Sequence, residues 1–380
     1  MSTEAVHDIL FVSRHDFRTK RKASLHFLAR QMAVDHRVRF VSIGFSPLSR
    51  LRRDSRCFLE SVANTWQSID GVSCCLWKTP LHPIDVGTGL VRAVVGRLYD
   101  LWSHWPSADF DRAAAASDVI FVESGIAPMF IRRLRRHAPH ARIVYIASDL
   151  LSTALVHPRV QTILERDAHL LDLVIVQARS MLPAFRSFGV PLVFLPHGLE
   201  RSLLEAEVPS PYTGPRNVVS VGSMLFDGDA IRAAATAFPD WTFHLIGCRP
   251  QGRYPDNVTI HPEMPFERTV AYLRHADLGF AAYADVSDGS YLVDSSMKLM
   301  QFGHLGLPAL CPDFAAGDKP LRFGYRPGDA ASIVAAFRRA ATDGVPRDPE
   351  RAKDWTQAAA DMLEAVEAVP ARDRADRPAA

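Results

Sequence analysis

Cysteine is scarce in this 380-residue chain, and the five present (Cys57, Cys74, Cys75, Cys248, Cys311) form no CxxC pair and no zinc-ligand spacing. An odd, scattered set excludes a disulfide framework and points to a reducing compartment. No apolar run approaches the 18 or so residues a bilayer span needs, so no transmembrane segment is expected. The opening "MSTEAVHDILFVSRHDF" carries charge too early for a signal peptide. Nucleotide-binding glycine motifs are missing too. The first strand runs into "RHDFRTKRK" rather than GxGxxG, and GxxxxGK[ST] occurs nowhere. These absences argue against a dehydrogenase and a P-loop enzyme. Fifteen histidines include no HExxH.

What is present is a balanced composition, 48% hydrophobic and 23% charged, in a regular order. Near-continuous apolar runs at 9–13, 38–43, 72–77, 118–123, 142–147 and 172–177 read as strands buried on both faces. Helical patterns lie between most of them, as at 127–138 and 153–171. Around 195–217 the pattern loosens into Pro, Gly and polar residues, then strands resume at 218–222, 242–247, 258–261, 278–283 and 308–312. The expectation is an α/β chain of two doubly wound, Rossmann-like domains facing a central cleft. Residues 1–205 form the first and 206–350 the second. A helix over 351–369 is free to cross back to the first, and 370–380 reads as a disordered tail. This architecture suits a two-domain GT-B glycosyltransferase, a sugar-nucleotide epimerase or a periplasmic binding protein, the last weakened by the absent leader.

Charge is unevenly placed. Twelve Lys or Arg between Arg14 and Arg56 face three Asp, a local excess of nine in a chain of net charge +2. Such a face suits an anionic partner, whether lipid surface, phosphorylated substrate or nucleic acid, or is a solvated surface. No nucleic-acid motif accompanies it, so nucleic acid is not expected as a partner. Two segments, 23–34 and 88–105, are amphipathic. The second places Leu90, Val94, Leu98 and Trp102 on one stripe, which either packs on the sheet or faces a bilayer.

The stretch "YLVDSSMKLMQFGHLGLPAL" (291–310) opens a helix with Ser295, Ser296, Met297 and Lys298. A lysine at a helix start opposes the macrodipole unless an anion lies between them. Ser295, Ser296 and the local N–H groups are therefore read as an anion cradle with Lys298 as its counter-charge. For the donor that the resemblance below implies, the anion is a diphosphate, and Gln301 one turn on is placed to reach ribose or phosphate. "DGD" (227–229) and "DFD" (109–111) imitate a metal-binding DxD. Asp227 and Asp229 precede a helix and read as caps, the Asp109 pair reads as a loop, and no metal or other cofactor is expected. His197 is read as a hydrogen-bonded loop histidine rather than a phosphate ligand.

Seven blocks in order, "SRHDFRT" (13–19), "VESGIA" (122–127), "ASDLLST" (147–153), "VGSMLFD" (221–227), "AAYADV" (281–286), "VDSSMKLMQ" (293–301) and "GLPALCP" (306–312), resemble the GumK-type bacterial glucuronosyltransferases of xanthan-like exopolysaccharide synthesis. The resemblance implies a GT-B enzyme, monotopic, inverting and metal-independent. It would move glucuronate from UDP-glucuronate to a mannose of a polyprenyl-diphosphate-linked oligosaccharide, peripherally on the cytoplasmic face of the inner membrane. It implies Asp149 as general base, with Met224, Glu263 and Tyr283 lining the nucleotide pocket beside Ser295, Ser296, Met297, Lys298 and Gln301. Leu150 stands where the family pattern has glycine and Ile146 where it has arginine, both beside the base. On local sequence alone Asp149 also reads as a helix cap.

Asp16 and Glu123 end other strands and are candidates for acceptor contact or base positioning. Arg18, Lys20, Arg21, Lys22, Trp102 and Trp105 are candidates for contact with an anionic membrane surface, which attracts each nearby cation by about 1 kcal/mol. Arg249, Arg253 and Lys298 are candidates to recognise the donor carboxylate. The same fold with UDP-glucose or GDP-mannose as donor, or a non-catalytic sugar-nucleotide or lipid-binding protein, remains an alternative.

Overall fold

The computed structural model describes residues 6–19, 22–85, 89–152, 156–248, 251–342 and 348–370. The chain divides into two compact units, one running to His197 and rejoined from Trp355, the other spanning Gly198–Asp354.

The first unit is built on an eight-stranded sheet. Its strands are β1 (Asp8–Ser13), β2 (Arg37–Phe45), β3 (Gln67–Ile69), β4 (Val72–Lys78), β5 (Val119–Glu123), β6 (Arg142–Ala147), β7 (Leu173–Val176) and β8 (Leu192–Phe194). They lie in the order β3-β4-β2-β1-β5-β6-β7-β8. Every pairing is parallel except β3 with β4. Helices cover the faces, which is why β5 and β7 are buried at every position and carry no alternation. Phe11 stacks on Phe121 (centroids 4.9 Å apart) and on Phe40 (5.9 Å) across three adjacent strands. Truncating a ring so enclosed costs about 3–5 kcal/mol. The helix Trp355–Glu367 docks on the helix Ser24–Met32. Trp355 stacks on Phe27 at 4.9 Å, and the Thr356 hydroxyl donates to the Gln31 side chain at 3.1 Å.

The second unit carries a wholly parallel sheet of β9 (Asn217–Val221), β10 (Thr242–Ile246), β11 (Val258–His261), β12 (Leu278–Phe280), β13 (Ala309–Pro312) and β14 (Arg322–Tyr325), ordered β11-β10-β9-β12-β13-β14. Gly279 in β12 sets the depth of one helix. A Cβ there would come within 2.7 Å of the Phe302 ring, so its absence lets the helix Met297–His304 close onto the sheet.

Three strands were not legible as apolar runs. β3, with no buried residue, and the half-buried β8 are edges, and β14 is broken by Gly324. Of the helical pattern at 153–171, residues 153–155 lie outside the described residues, and the rest holds the helix Pro158–Asp167 and a 3-10 turn, Ala168–Leu170. That at 127–138 narrows to Ile131–His137 behind a short 3-10 turn. Asp109 and Asp111 are not in a loop. They occupy the first turn of the helix Ala108–Ala115, paired to Arg112 and Arg133. The expected tail at 370–380 falls, past Pro370, outside the described residues.

Candidate active site

In the first unit, three strands deliver polar groups to one edge. β1 ends at Ser13 and β5 at Glu123, and Asp149 follows β6 by two residues, all at the carboxyl edge where parallel sheets place their chemistry. The Ser13 hydroxyl donates to the Glu123 carboxyl and accepts the His15 N–H at 2.8 Å. Burial pushes Glu123 up to about 8. The Ser13 bond opposes this, and the neighbouring Asp149 charge adds to it. Burial thus favours the protonated form of Glu123. Burial also raises Asp149, and the nearby His15 partly offsets it. A carboxylate raised toward neutrality but still ionisable is suited to general-base work.

Asp149 is not a helix cap. The next described helix begins at Pro158, and its cap is His157, whose ring accepts the Arg159 N–H at 3.0 Å. The Asp149 N–H instead donates to the Ser124 hydroxyl at 3.3 Å, fixing the turn that carries it. Three further polar groups, Tyr145 Oη, Ser148 Oγ and the Gln177 amide, are buried without a hydrogen-bond partner among the described residues. Tyr145 feels both Asp149 and Glu123, so part of this unsatisfied set belongs to the same cluster.

Asp16 is spent elsewhere. Burial alone would raise it, but the Arg18 guanidinium bonds both its oxygens at 2.8 Å and holds it below the usual carboxylate range. His197 is buried. Its ring bonds the Ser24 hydroxyl at 2.9 Å, and burial lowers it to about 4, as befits a neutral hydrogen-bonded histidine.

In the second unit, the break between Ser295 and Met297 is the decisive local feature. A short helix, Leu292–Ser295, stops there, and Ser296 in extended backbone starts the next. Ser296 Oγ accepts the Leu299 N–H at 3.3 Å and shares a 2.5 Å hydrogen bond with the Tyr283 hydroxyl. Capping uses that N–H, while the Met297 and Lys298 N–H groups of the first turn have no intrahelical acceptor. Ser295 bonds back to the Tyr291 carbonyl at 3.0 Å and is not part of the cap. The Lys298 ammonium lies 4.6 Å from the Tyr283 ring centroid, buried and, among the described residues, with no hydrogen-bond acceptor. Burial lowers it to about 8, partly offset by the neighbouring Cys248.

The remaining donor candidates are placed around this pair. The turn after β9, with Gly222 at φ +81°, is zipped to the segment after β12 by Asp227 N–H to Ala282 O (3.0 Å) and Ala284 N–H to Leu225 O (2.7 Å). That turn carries Met224, which is exposed. Glu263, also exposed, lies against Gly247 at the end of β10. Met297 and Gln301 are half-buried on the helix itself. Asp227 caps the helix Gly228–Ala237 through the Asp229 and Ala230 N–H groups, and Asp229 pairs with Arg232. Among the described residues no group of three or more His, Cys, Asp or Glu is placed to hold a metal ion. Arg253 is exposed, and Arg249 lies outside the described residues.

The membrane-contact candidates divide. Trp102 is only 3% exposed. Its ring packs on Phe130 at 4.8 Å, and its indole N–H donates to Thr79 at 3.3 Å, so it is a core residue and not an interfacial one. Arg18 is likewise buried on Asp16. Lys22 donates to the Phe17 carbonyl at 2.6 Å and Trp105 is exposed, whereas Lys20 and Arg21 lie outside the described residues. The outward apolar face of the helix Gly89–Ser103 is Val91, Val94 and Leu101 rather than the stripe ending at Trp102, because Val95, Tyr99 and Trp102 turn inward. The Leu90 side chain lies outside the described residues. Among the described residues no helix is long and apolar enough to cross a membrane.

Residues 11–177 match the N-terminal domain of glucuronosyltransferase GumK. Over 334 residues the chain is 40% identical to the UDP-glucuronate:glycolipid 2-beta-glucuronosyltransferase of Xanthomonas campestris pv. campestris, covering 87% of this chain and 83% of that one. The chain belongs to the GumK glucuronosyltransferase family. Solved structures give the fold. Trehalose-6-phosphate synthase OtsA superposes with a TM-score of 0.67 over 96% of this chain and 100% of its own, at 13% identity. The sucrose-phosphate synthase of Thermosynechococcus elongatus gives 0.62 over 95% and 94%, also at 13%. These are GT-B glycosyltransferases, and the present chain shares their two Rossmann-like domains.

The two units thus carry two distinct polar clusters, one around Asp149 and one at the helix start of Lys298. Sequence reading had not singled out Ser13 and His15. Their signal was position, at the end of a strand and just past it, beside the strand that ends in Glu123.

Proposed function

We propose that this chain transfers glucuronate from UDP-glucuronate to a sugar hydroxyl of a polyprenyl-diphosphate-linked oligosaccharide, with inversion and without a metal. It would work as a peripheral protein on the cytoplasmic face of the bacterial inner membrane, in assembly of a xanthan-like exopolysaccharide. The observation that carries the donor half is Lys298, a buried ammonium in the first turn of a helix with no hydrogen-bond acceptor among the described residues. A diphosphate there gains charge as the sugar departs, so the cation and the oriented amides favour the transition state over the ground state. The exposed Met224 and Glu263 supply a soft contact and an acceptor for nucleotide donors.

Asp149 takes the proton from the acceptor hydroxyl as its oxygen attacks the anomeric carbon, and UDP leaves from the opposite face. The relative's name specifies a β-linkage, which inversion produces from an α-linked sugar nucleotide. Neutral Glu123, held by Ser13, keeps a second negative charge away from the base. Val91, Val94 and Leu101, exposed beside Arg97 on one helix, supply an apolar face of the kind that seats in a headgroup layer.

UDP release in the presence of a glycolipid acceptor tests the reading. UDP-glucuronate is expected to support it, and UDP-glucose and GDP-mannose are not. Release from another donor would leave the fold and overturn the glucuronate assignment.

A further inference from the structure

Three of the chain's six tryptophans, Trp66, Trp77 and Trp105, line one cavity of about 260 Å³ in the first unit. It opens where β4 ends at Lys78 and where the helix Ala108–Ala115 begins behind its cap, Ser107. That helix leads into the parallel strand β5, so its start lies at the carboxyl edge of the sheet, the edge that carries Asp149.

The walls are fixed before anything binds. Trp77 is stacked on Phe110 at 5.1 Å and covered by the Arg133 guanidinium at 5.4 Å. Arg133 in turn bonds both oxygens of Asp111 and the Trp105 carbonyl. Asn64, in the left-handed region at φ +59°, bonds the Lys78 N–H (2.8 Å) and carbonyl (3.1 Å) and locks the strand end beside Trp66.

Polar capacity remains. The Lys78 ammonium gives one bond, to Glu60, of the three it can donate. Asp109 receives Arg112 and keeps acceptor sites open. The half-buried Trp66 and the exposed Trp105, beside a spare ammonium and a spare carboxylate, match a pyranose, which has an apolar C–H face and a rim of hydroxyls. A cavity of about 150 Å³ admits benzene, so this one has room for a single sugar ring with its hydroxyls.

We infer that this cavity is a carbohydrate subsite holding one sugar ring of the acceptor away from the reacting one. β4 and β6 are four strand spacings apart in the sheet, roughly 19 Å, a span that several linked sugars bridge and one does not. The inference rests on the reading of the acceptor as an oligosaccharide. A membrane-seated role for the same tryptophans is the competing outcome.

The test uses the full chain and two probes, methyl mannoside and cellobiose, followed by tryptophan emission and ligand-observed NMR. Binding is expected to weaken at least tenfold in Trp66→Ala and in Asp109→Ala. It should persist in Trp66→Phe, with thermal unfolding reporting fold integrity in each. With a glycolipid acceptor, Trp66→Ala raises KM and leaves kcat near wild type. Saccharide binding that is absent, or unchanged in both alanine variants, overturns the subsite. So does loss of binding to phosphatidylglycerol vesicles in Trp105→Ala with saccharide binding intact. Failure of the glucuronate reading looks different, as saccharide binding that responds to Trp66 with no turnover of UDP-glucuronate.

Discussion

The Lys298 ammonium stands 4.6 Å from the centre of the Tyr283 ring, and the hydroxyl of the same ring bonds Ser296, the residue that caps the helix carrying Lys298. Tyr283 thus fixes both the helix start and the cation. Its partial compensation by the ring does not replace a lost hydration shell, which is why burial lowers the lysine to about 8. A diphosphate would restore the charged form.

Donor binding should therefore take up a proton at pH 8 to 9 and almost none at pH 6.5. Calorimetry with UDP in buffers of different ionisation enthalpy measures this. In Lys298→Met the uptake disappears and affinity falls about 10- to 100-fold, the range of a lost charge-assisted hydrogen bond. Uptake unchanged in that variant would place the titrating group elsewhere.

Glu123 makes stability depend on pH. Its folded pKa of about 8 lies above the ordinary 4.5, so between these values the folded chain holds a proton that the unfolded chain has released. Stability then falls as pH rises across that window, by up to about 1.4 kcal/mol per pH unit. Glu123→Gln should flatten the decline of Tm between pH 5 and 8. An equally steep decline in that variant would show that Glu123 does not carry it.

His15 lowers Asp149 against the larger effect of burial. On the role proposed for Asp149, His15→Gln should move the acid limb of the kcat/KM profile to higher pH, with activity lost earlier as pH falls. Unfolding monitored over the same range separates this from a fold defect.

Gly279→Ala should act at a distance. The added methyl meets the Phe302 ring and forces the helix Met297–His304 off the sheet. Overpacking of this kind costs about 1–3 kcal/mol, and UDP affinity is expected to fall with no contact to UDP changed. Phe302→Leu in the same background should recover part of both.

Much of this was legible in the sequence for identifiable reasons. Strands such as β1, β5 and β6 are buried on both faces and announce themselves as apolar runs, whereas β3, β8 and β14 lie at edges or carry glycine and do not. The Lys298 anomaly was readable because a cation at a helix start contradicts the macrodipole. Ser13 and His15 were not, since their roles depend on which strand lies beside β1, and parallel order is a tertiary fact. Trp102 misled because a four-residue stripe drifts around a helix, and only packing on Phe130 and Thr79 decides which face turns inward. The tryptophan cavity brings together residues from 41 to 110 that share no motif.

Acceptor-dependent UDP release from UDP-glucuronate, in wild type and in Asp149→Asn, tests the central claim most directly. The account predicts release by the wild type and a loss of about 10²- to 10⁴-fold in the variant, with UDP affinity unchanged. Turnover in Asp149→Asn close to wild type would contradict it and assign the base to another group.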